Sequence, residues 1–505
     1  MELTAYFMEN TLLSSFFFIL APFFLWLITY KYYNTKKNLP PGPPQLPIIG
    51  NLHQMGKKPH VSTAIFAKKY GPLISLRLGS QQLVVASSSQ AAMEILKTQD
   101  RHLSGRIMPD SFQVFPKYDG LVWAPDCNEH WKILRALSRV EIFSAKAIEA
   151  QSNLRNEKLA QMLDFLNITE GKVVKIEEVV FTTLFNTMSN ILFSKDFLDL
   201  NGDNTNAHWL KKALQKTLEN SMIPNVGDFF PIVRGLDLQG LRKDTLKQLN
   251  DVSSFTGILI KERRDQRASL KVIKDVVVTE EKDFLDHLLD KNFTDIQINI
   301  LVQELFIAGT DTVVSTTEWA MAELLKNKEI MKKVQEELKR EINSNSSIMK
   351  FDFSKLTYFN ACIKETLRLH PVVPLLIPRR AVETCEVMGY TIPQNSQIWV
   401  NIWEISRDPK VWDEPNIFKP ERFIGSHLNY TGHDFEFTPF GGGRRMCPGL
   451  LSGIKGLETI LASLILGFDW VLPHGEDPAN LDMNEHFGVV LQKEKPLELI
   501  FKRRE

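Results

Sequence analysis

The chain reads as a mainly α-helical protein with small β-sheets, preceded by an N-terminal transmembrane helix. Three observations predict this. Apolar residues recur at three- and four-residue intervals over most of the chain. Residues 73–87, LISLRLGSQQLVVAS, alternate in the manner of a hairpin turning near Gly79-Ser80. Thr11 to Tyr30 carry no charge. At about 1.5 Å per helical residue, such a stretch reaches across a hydrocarbon layer of roughly 30 Å.

Lys31, Lys36 and Lys37 follow the apolar stretch, and Glu2 and Glu9 precede it. That asymmetry orients the body towards the cytosol. A cleaved secretory signal is the competing reading, but the segment lacks a basic start and a small-residue cleavage site. Residues 1–38 are thus expected to be a membrane anchor with a basic stop. Pro40, Pro41, Pro43, Pro44 and Pro47 make residues 39–50 a stiff hinge. Residues 51–505 are expected to form a single domain. Lysine plus arginine equals aspartate plus glutamate, at 60 each, which gives no reason to expect a nucleic-acid partner. The four cysteines are too few for a disulfide scaffold and fit a reducing compartment.

Helical periodicity marks segments near 61–70, 89–99, 128–140, 146–166, 173–193, 208–221 and 238–265. Strand-like pieces return near 383–400 and 487–501. Another helix begins at Thr294, with Gln297 three residues on in a capping-box pattern. In its middle stand Ala308-Gly309-Thr310-Asp311-Thr312. Glycine and threonine are weak helix formers, so this run suggests a local opening that serves a ligand. An ordinary core helix with tolerated small residues is the alternative.

The most specific segment is Phe440-Gly441-Gly442-Gly443-Arg444-Arg445-Met446-Cys447-Pro448-Gly449, followed by an apolar helical run from Leu450 to Phe468. Unpaired amides at a helix start, with Arg444 and Arg445 nearby, should lower the Cys447 pKa. A buried structural thiol is the common role of a single cysteine. Zinc would need partner ligands at short spacing, and none lies nearby. A nucleophile would need a base, for which His427, His433, His474 and His486 qualify only by separation. One axial thiolate to haem needs no further protein ligand, and thiolate donation favours O–O cleavage.

The segment matches the Phe-x-x-Gly-x-Arg-x-Cys-x-Gly signature without a mismatch, and the chain resembles the cytochrome P-450 superfamily of haem-thiolate monooxygenases throughout. The hinge, Ala308 to Thr312 and Pro420-Glu421-Arg422-Phe423 resemble plant microsomal enzymes. The 104–106, 123–127 and 131–135 segments resemble the alkaloid-metabolising group containing N-methylcoclaurine hydroxylase and the littorine mutase.

The resemblance implies haem b with Cys447 as axial ligand, a dioxygen groove at Ala308 and Gly309, and proton delivery by Asp311 and Thr312. It implies propionate donors at Trp131, Arg135, Arg379 and Arg445, with Phe440 opening the cysteine loop. Glu365, Arg368 and Arg422 would form a structural triad. Glu304, Val372, Val373, Leu375, Leu376 and Phe487 would face the substrate.

Lacking a nucleotide-binding domain of its own, the chain would take NADPH electrons from a separate NADPH-cytochrome P-450 reductase. It would act in the endoplasmic reticulum membrane, with a single span and the catalytic body in the cytosol. Implied is oxidation of a hydrophobic plant metabolite, an alkaloid foremost, by hydrogen abstraction and oxygen rebound. The alternatives are a littorine-mutase-type rearrangement and hydroxylation of a terpenoid or phenolic. A non-enzymatic haem or ligand carrier is the competing class.

Overall fold

The computed structural model describes residues 38–504 except 114–117, 119, 201–204, 273–281 and 343–347. The expected membrane span, Thr11 to Tyr30, lies outside the described residues. The architecture is mainly helical with four small sheets among the described residues.

The hairpin forms where alternation places it. Strand β1 (Leu73–Leu78) pairs antiparallel with β2 (Gln81–Ala86), and Gly79 takes the turn at φ +60°. Two later strands complete this sheet. β7 (Gln397–Val400) runs parallel to β2, and β4 (Arg379–Arg380) closes the edge, delivering Arg379 to the interior. Residues 383–400 also supply the pair β5 (Cys385–Val387) and β6 (Tyr390–Ile392). A third sheet joins β3 (Val173–Lys175), β8 (Phe468–Val471) and β11 (Glu498–Arg503) in the order β3-β11-β8. The last is a pair, β9 (Glu485–His486) and β10 (Gln492–Lys493).

The proline-rich segment is docked on the body. Pro41 C=O accepts Ser75 N–H at 2.9 Å, and Asn38 C=O accepts Thr391 N–H at 2.7 Å.

The helical body is built around α7 (Asp295–Lys326), which crosses it and is buried over most of its length. The capping box is present: Thr294 Oγ1 accepts Gln297 N–H, and Gln297 Oε1 accepts Thr294 N–H at 3.0 Å. Helices α4 (Ile176–Phe193) and α10 (Leu450–Gly467) flank it. Phe185 stacks on Phe306 at 4.6 Å, and Val313 lies against Gly453. Both α7 and α10 are long and apolar enough to cross a membrane. Their burial here makes them core helices instead.

Three expectations need adjustment. The 146–166 segment is divided into Ala145–Ala150 and α3 (Ser152–Ile168). The 173–193 segment opens as strand β3, whose residues pair with β11 before α4 begins. No opening interrupts α7 at 308–312. Thr312 sends its hydroxyl back along the helix, Oγ1 donating to Ala308 C=O at 2.9 Å. Gly309 instead permits close packing, since a Cβ there would stand 2.6 Å from Met188 Cε.

Candidate active site

The loop before α10 is shaped by two glycines in the left-handed region, Gly441 at φ +69° and Gly443 at φ +66°. A Cβ on Gly443 would collide with Leu96 C=O and the Asp100 carboxylate. Phe440 C=O accepts Cys447 N–H at 3.0 Å, closing the loop. Cys447 is enclosed by protein, yet its surface is accessible. Ala308 is likewise accessible in the middle of the buried α7.

The thiol does not behave as the local sequence suggests. Burial pushes its pKa up, outweighing the Gly449 N–H and the nearby Arg135, which pull it down. Arg444 is half exposed and engaged with Asp100, its backbone N–H donating to Oδ2 at 3.0 Å. Arg445 turns away to the 104–124 segment. A thiolate there therefore calls for a cation in direct contact.

Four buried or half-buried guanidiniums gather beside the loop: Arg106, Arg135, Arg379 and Arg445. Burial pushes each pKa down, and the positive charges of Arg379 and Arg445 lower that of Arg106 further. The Trp131 ring lies 4.8 Å from the Arg445 guanidinium and 5.4 Å from that of Arg135. Helix α2 (Glu129–Ser138) sets this geometry, with Asn128 Oδ1 capping Trp131 N–H at 2.9 Å.

The carboxylate engaging this cluster is Asp100, which accepts from Arg379 Nη1 at 2.8 Å. Arg379 Nη2 donates to Gly442 C=O at 2.7 Å, and Arg135 donates to Met446 C=O. So much clustered cation beside an accessible thiol fits a metal-bearing dianion. A haem with two propionates has those properties.

On the other side, a cavity is lined by Phe112, Tyr118, Trp123, Met222, Ile307 and Val373, among other residues. Glu304, Ala308, Thr312 and Leu376 also line it. Leu376 reaches Gly441 as well, joining the cavity to the cysteine loop.

Of the expected substrate positions, Val372, Leu375 and Phe487 lie off this wall. A tight turn, with Leu376 N–H donating to Val373 C=O at 3.0 Å and Leu376 at φ +51°, brings Val373 and Leu376 to the cavity. Val372 and Leu375 instead accept backbone bonds from Leu491 and Val400. Phe487 stacks on His60 at 5.2 Å, while Val489 and Val490 take the cavity position. Glu304 is buried and accepts Tyr118 Oη–H, Leu121 N–H and Val122 N–H at 2.6–2.7 Å.

Asp311, one residue before Thr312, is buried, and that burial pushes its pKa up to about 7 against the nearby Lys211 charge. Glu365 and Arg368, on α9 (Thr357–Leu369), pair by two hydrogen bonds, and Arg422 Nε donates to Glu365 Oε1 at 3.0 Å.

Asp100 was not singled out by sequence reasoning; Arg106 stood only within a segment of resemblance, and Tyr118 and the Leu121 peptide only within the 104–124 stretch expected to contribute to the substrate side. Gly120 carried the available signal: a Cβ there would lie 2.7 Å from both Glu304 oxygens.

Comparison with known proteins agrees with the geometry. Residues 40–501 match the Cytochrome P450 family model. The chain is 47% identical over 483 residues to a probable (S)-N-methylcoclaurine 3'-hydroxylase isozyme 2 of Coptis japonica, covering 95% of this chain and 97% of the relative. It is 44% identical to (S)-N-methylcoclaurine 3'-hydroxylase isozyme 1 of Papaver somniferum, covering 95% and 98%. Corytuberine synthase of Coptis japonica is 43% identical, covering 95% and 96%. Similarity of this extent, over a loop and a helix that bear the expected motifs, makes the chain an enzyme of the cytochrome P450 monooxygenase family, closely related to the N-methylcoclaurine hydroxylases.

Proposed function

We propose that the chain is a haem-thiolate monooxygenase of plant alkaloid metabolism. Cys447 would hold the iron of haem b, and Arg135, Arg379 and Arg445 its propionates, with Trp131, whose one N–H is given to Leu121 C=O, packed against the Arg135 and Arg445 guanidiniums instead of donating itself. The accessible, enclosed thiol beside four guanidiniums carries this reading. When bound, haem supplies an iron that activates dioxygen against a C–H bond, with thiolate donation favouring O–O cleavage.

The protein's own residues supply the rest. The apolar wall excludes water and orients a hydrophobic substrate beneath Ala308 and Thr312. Asp311 can hold and release a proton near neutral pH, and Thr312 Oγ1 can pass one on by leaving its bond to Ala308 C=O. Glu365, Arg368 and Arg422 brace the segment that leads to the cysteine loop.

The names of the relatives support a benzylisoquinoline-type amine as substrate. Phe112, Tyr118 and Trp123 offer aromatic faces to such a molecule. Residues 1–38 would anchor the body, 51–505, to the endoplasmic reticulum through the 39–50 segment. NADPH-cytochrome P-450 reductase would deliver electrons at the cysteine side.

A reduced carbon-monoxide difference spectrum tests the ligand. The wild type should show the red-shifted band of a thiolate-ligated iron, and Cys447→Ser should lose it. An unchanged band in Cys447→Ser overturns the reading. Substrate class is tested by binding spectra and product analysis with benzylisoquinoline amines, terpenoids and phenolics. Turnover of the last two alone removes the alkaloid assignment.

A further inference from the structure

We infer that Glu304 is a positioning residue that ties the wall of the substrate cavity to the donors of the cofactor cradle. The inference rests on the haem-thiolate reading above.

Glu304 lies one helical turn before Ala308 on α7. Its Oε1 accepts Tyr118 Oη–H and Val122 N–H, both at 2.7 Å, and its Oε2 accepts Leu121 N–H at 2.6 Å. The Trp123 amide adds to the set. Gly120 is required for the loop to come this close, because a Cβ would lie 2.7 Å from both oxygens.

The carbonyls of the same short segment turn to the cations. Leu121 C=O accepts both Trp131 Nε1–H and Arg445 Nη1–H at 3.0 Å. Val122 C=O accepts Arg106 Nε–H at 3.2 Å, and Ala124 C=O accepts Arg445 Nη2–H at 2.6 Å. Residues 121–124 therefore run between a buried anion and a group of buried cations. The N–H groups of Leu121, Val122 and Trp123 face the former, and the C=O groups of Leu121, Val122 and Ala124 the latter. Each charge favours the peptide orientation that the other needs.

This arrangement gives Glu304 a different task from capturing a substrate amine. Its oxygens are occupied by the loop, and burial pushes its pKa up while the donors pull it down. Losing the carboxylate would leave several donors facing a gap and free the Leu121 peptide to rotate. Trp131 and Arg445 would then lose the acceptor that fixes their direction. A glutamine can still accept at one atom but opposes the Leu121 N–H with its own N–H groups. Tyr118→Phe removes one donor and leaves the Leu121 bond in place.

The test uses the full-length holoenzyme and three variants, Glu304→Gln, Tyr118→Phe and Leu166→Ala. Leu166 is a fully buried core residue remote from this network and serves as the stability control. Haem transfer to excess apomyoglobin should accelerate about tenfold in Glu304→Gln and about threefold or less in Tyr118→Phe. The propionate bending bands of the resonance Raman spectrum should shift in both. Leu166→Ala should lower the thermal midpoint without moving those bands.

Should Glu304→Gln fail to fold, Tyr118→Phe against Leu166→Ala decides alone. Wild-type haem transfer and unshifted bands in the folded variants overturn the inference, as does an equal band shift in Leu166→Ala. If Cys447→Ser keeps the wild-type spectrum, the haem-thiolate reading falls. If Cys447→Ser loses that spectrum while Glu304→Gln behaves as wild type, only the positioning role falls.

Discussion

Glu365 and Arg368, one turn apart on α9 and both 0% exposed, meet through a fork of two hydrogen bonds at 2.7 and 2.8 Å. Neither charge stands alone. Glu365 also accepts Lys419 N–H and Arg422 Nε–H, and Arg368 donates to Ser406 C=O and Pro415 C=O. The 406–422 chain is thus stitched to α9 by ionic hydrogen bonds.

Removing one partner would strand the other in a dry site, at a cost of about 3–5 kcal/mol. Glu365→Ala should therefore give little folded protein, and its denaturant midpoint should fall well below that of the wild type. Arg422→Ala should cost less, because Arg368 still neutralises Glu365. Equal midpoints for Glu365→Ala and the wild type would contradict this.

Asp311 leads to a pH prediction. Its pKa is raised to about 7 by burial, so the proton is held below that pH and lost above it. As pH rises through 7, product formation should fall in the wild type, since the neutral acid disappears. Asp311→Asn should lower turnover by about a hundredfold and remove that limb of the profile. Rates at several pH values, with substrate binding measured alongside, check both parts. A variant that keeps the basic limb assigns it to another group.

Gly443 offers a test of the loop itself. At φ +66°, with Leu96 C=O and Asp100 in the space a Cβ would take, alanine must displace either the helix-end segment or the cysteine loop. The strain is about 1–3 kcal/mol before any clash is counted. Gly443→Ala should purify with much less haem per protein than Gly71→Ala, where a Cβ meets nothing within 4 Å although φ is also positive. Equal haem content would show that the loop tolerates the shift.

What the sequence made legible was local in the chain. The Gly441–Cys447 segment, the i,i+3 spacing of Glu365 and Arg368, and the Thr294–Gln297 cap each lie within one loop or one or two turns of helix. Asp100 was not legible, because the Arg444 amide and the Arg379 guanidinium that it accepts from are 344 and 279 residues away. The resemblance could not tell which of Val372, Val373, Leu375 and Leu376 faces the cavity. That is decided by a turn and by bonds to Leu491 and Val400 from distant strands. The thiol was misjudged for a related reason: helix-end and arginine effects can be read from neighbours, whereas the larger effect of burial belongs to the whole fold.

Asp228 supplies a last prediction. It lies in the connection between α5 (Thr205–Met222) and α6 (Leu241–Val272), and its Oδ1 accepts Asp110 N–H at 2.8 Å. Arg242 and Arg234 pair with Asp110, so a small ionic cluster joins this connection to the Asp110–Phe112 turn. Both sides border the substrate cavity, through Met222 and Phe112.

Burial, reinforced by the Asp110 charge and opposed by its N–H, raises the Asp228 pKa from 3.8 to about 6. A raised carboxyl contributes its full stability below the unfolded value and loses it as pH climbs through the folded one. The wild-type junction should therefore weaken between about pH 4 and pH 6. Asp228→Asn keeps the acceptor for Asp110 N–H and cannot ionise. Its thermal midpoint should vary less over that window and exceed the wild type at pH 7, for a gain in unfolding free energy of about 1 kcal/mol. Superimposable midpoint-against-pH curves for the two proteins would rule out Asp228 as the titrating group.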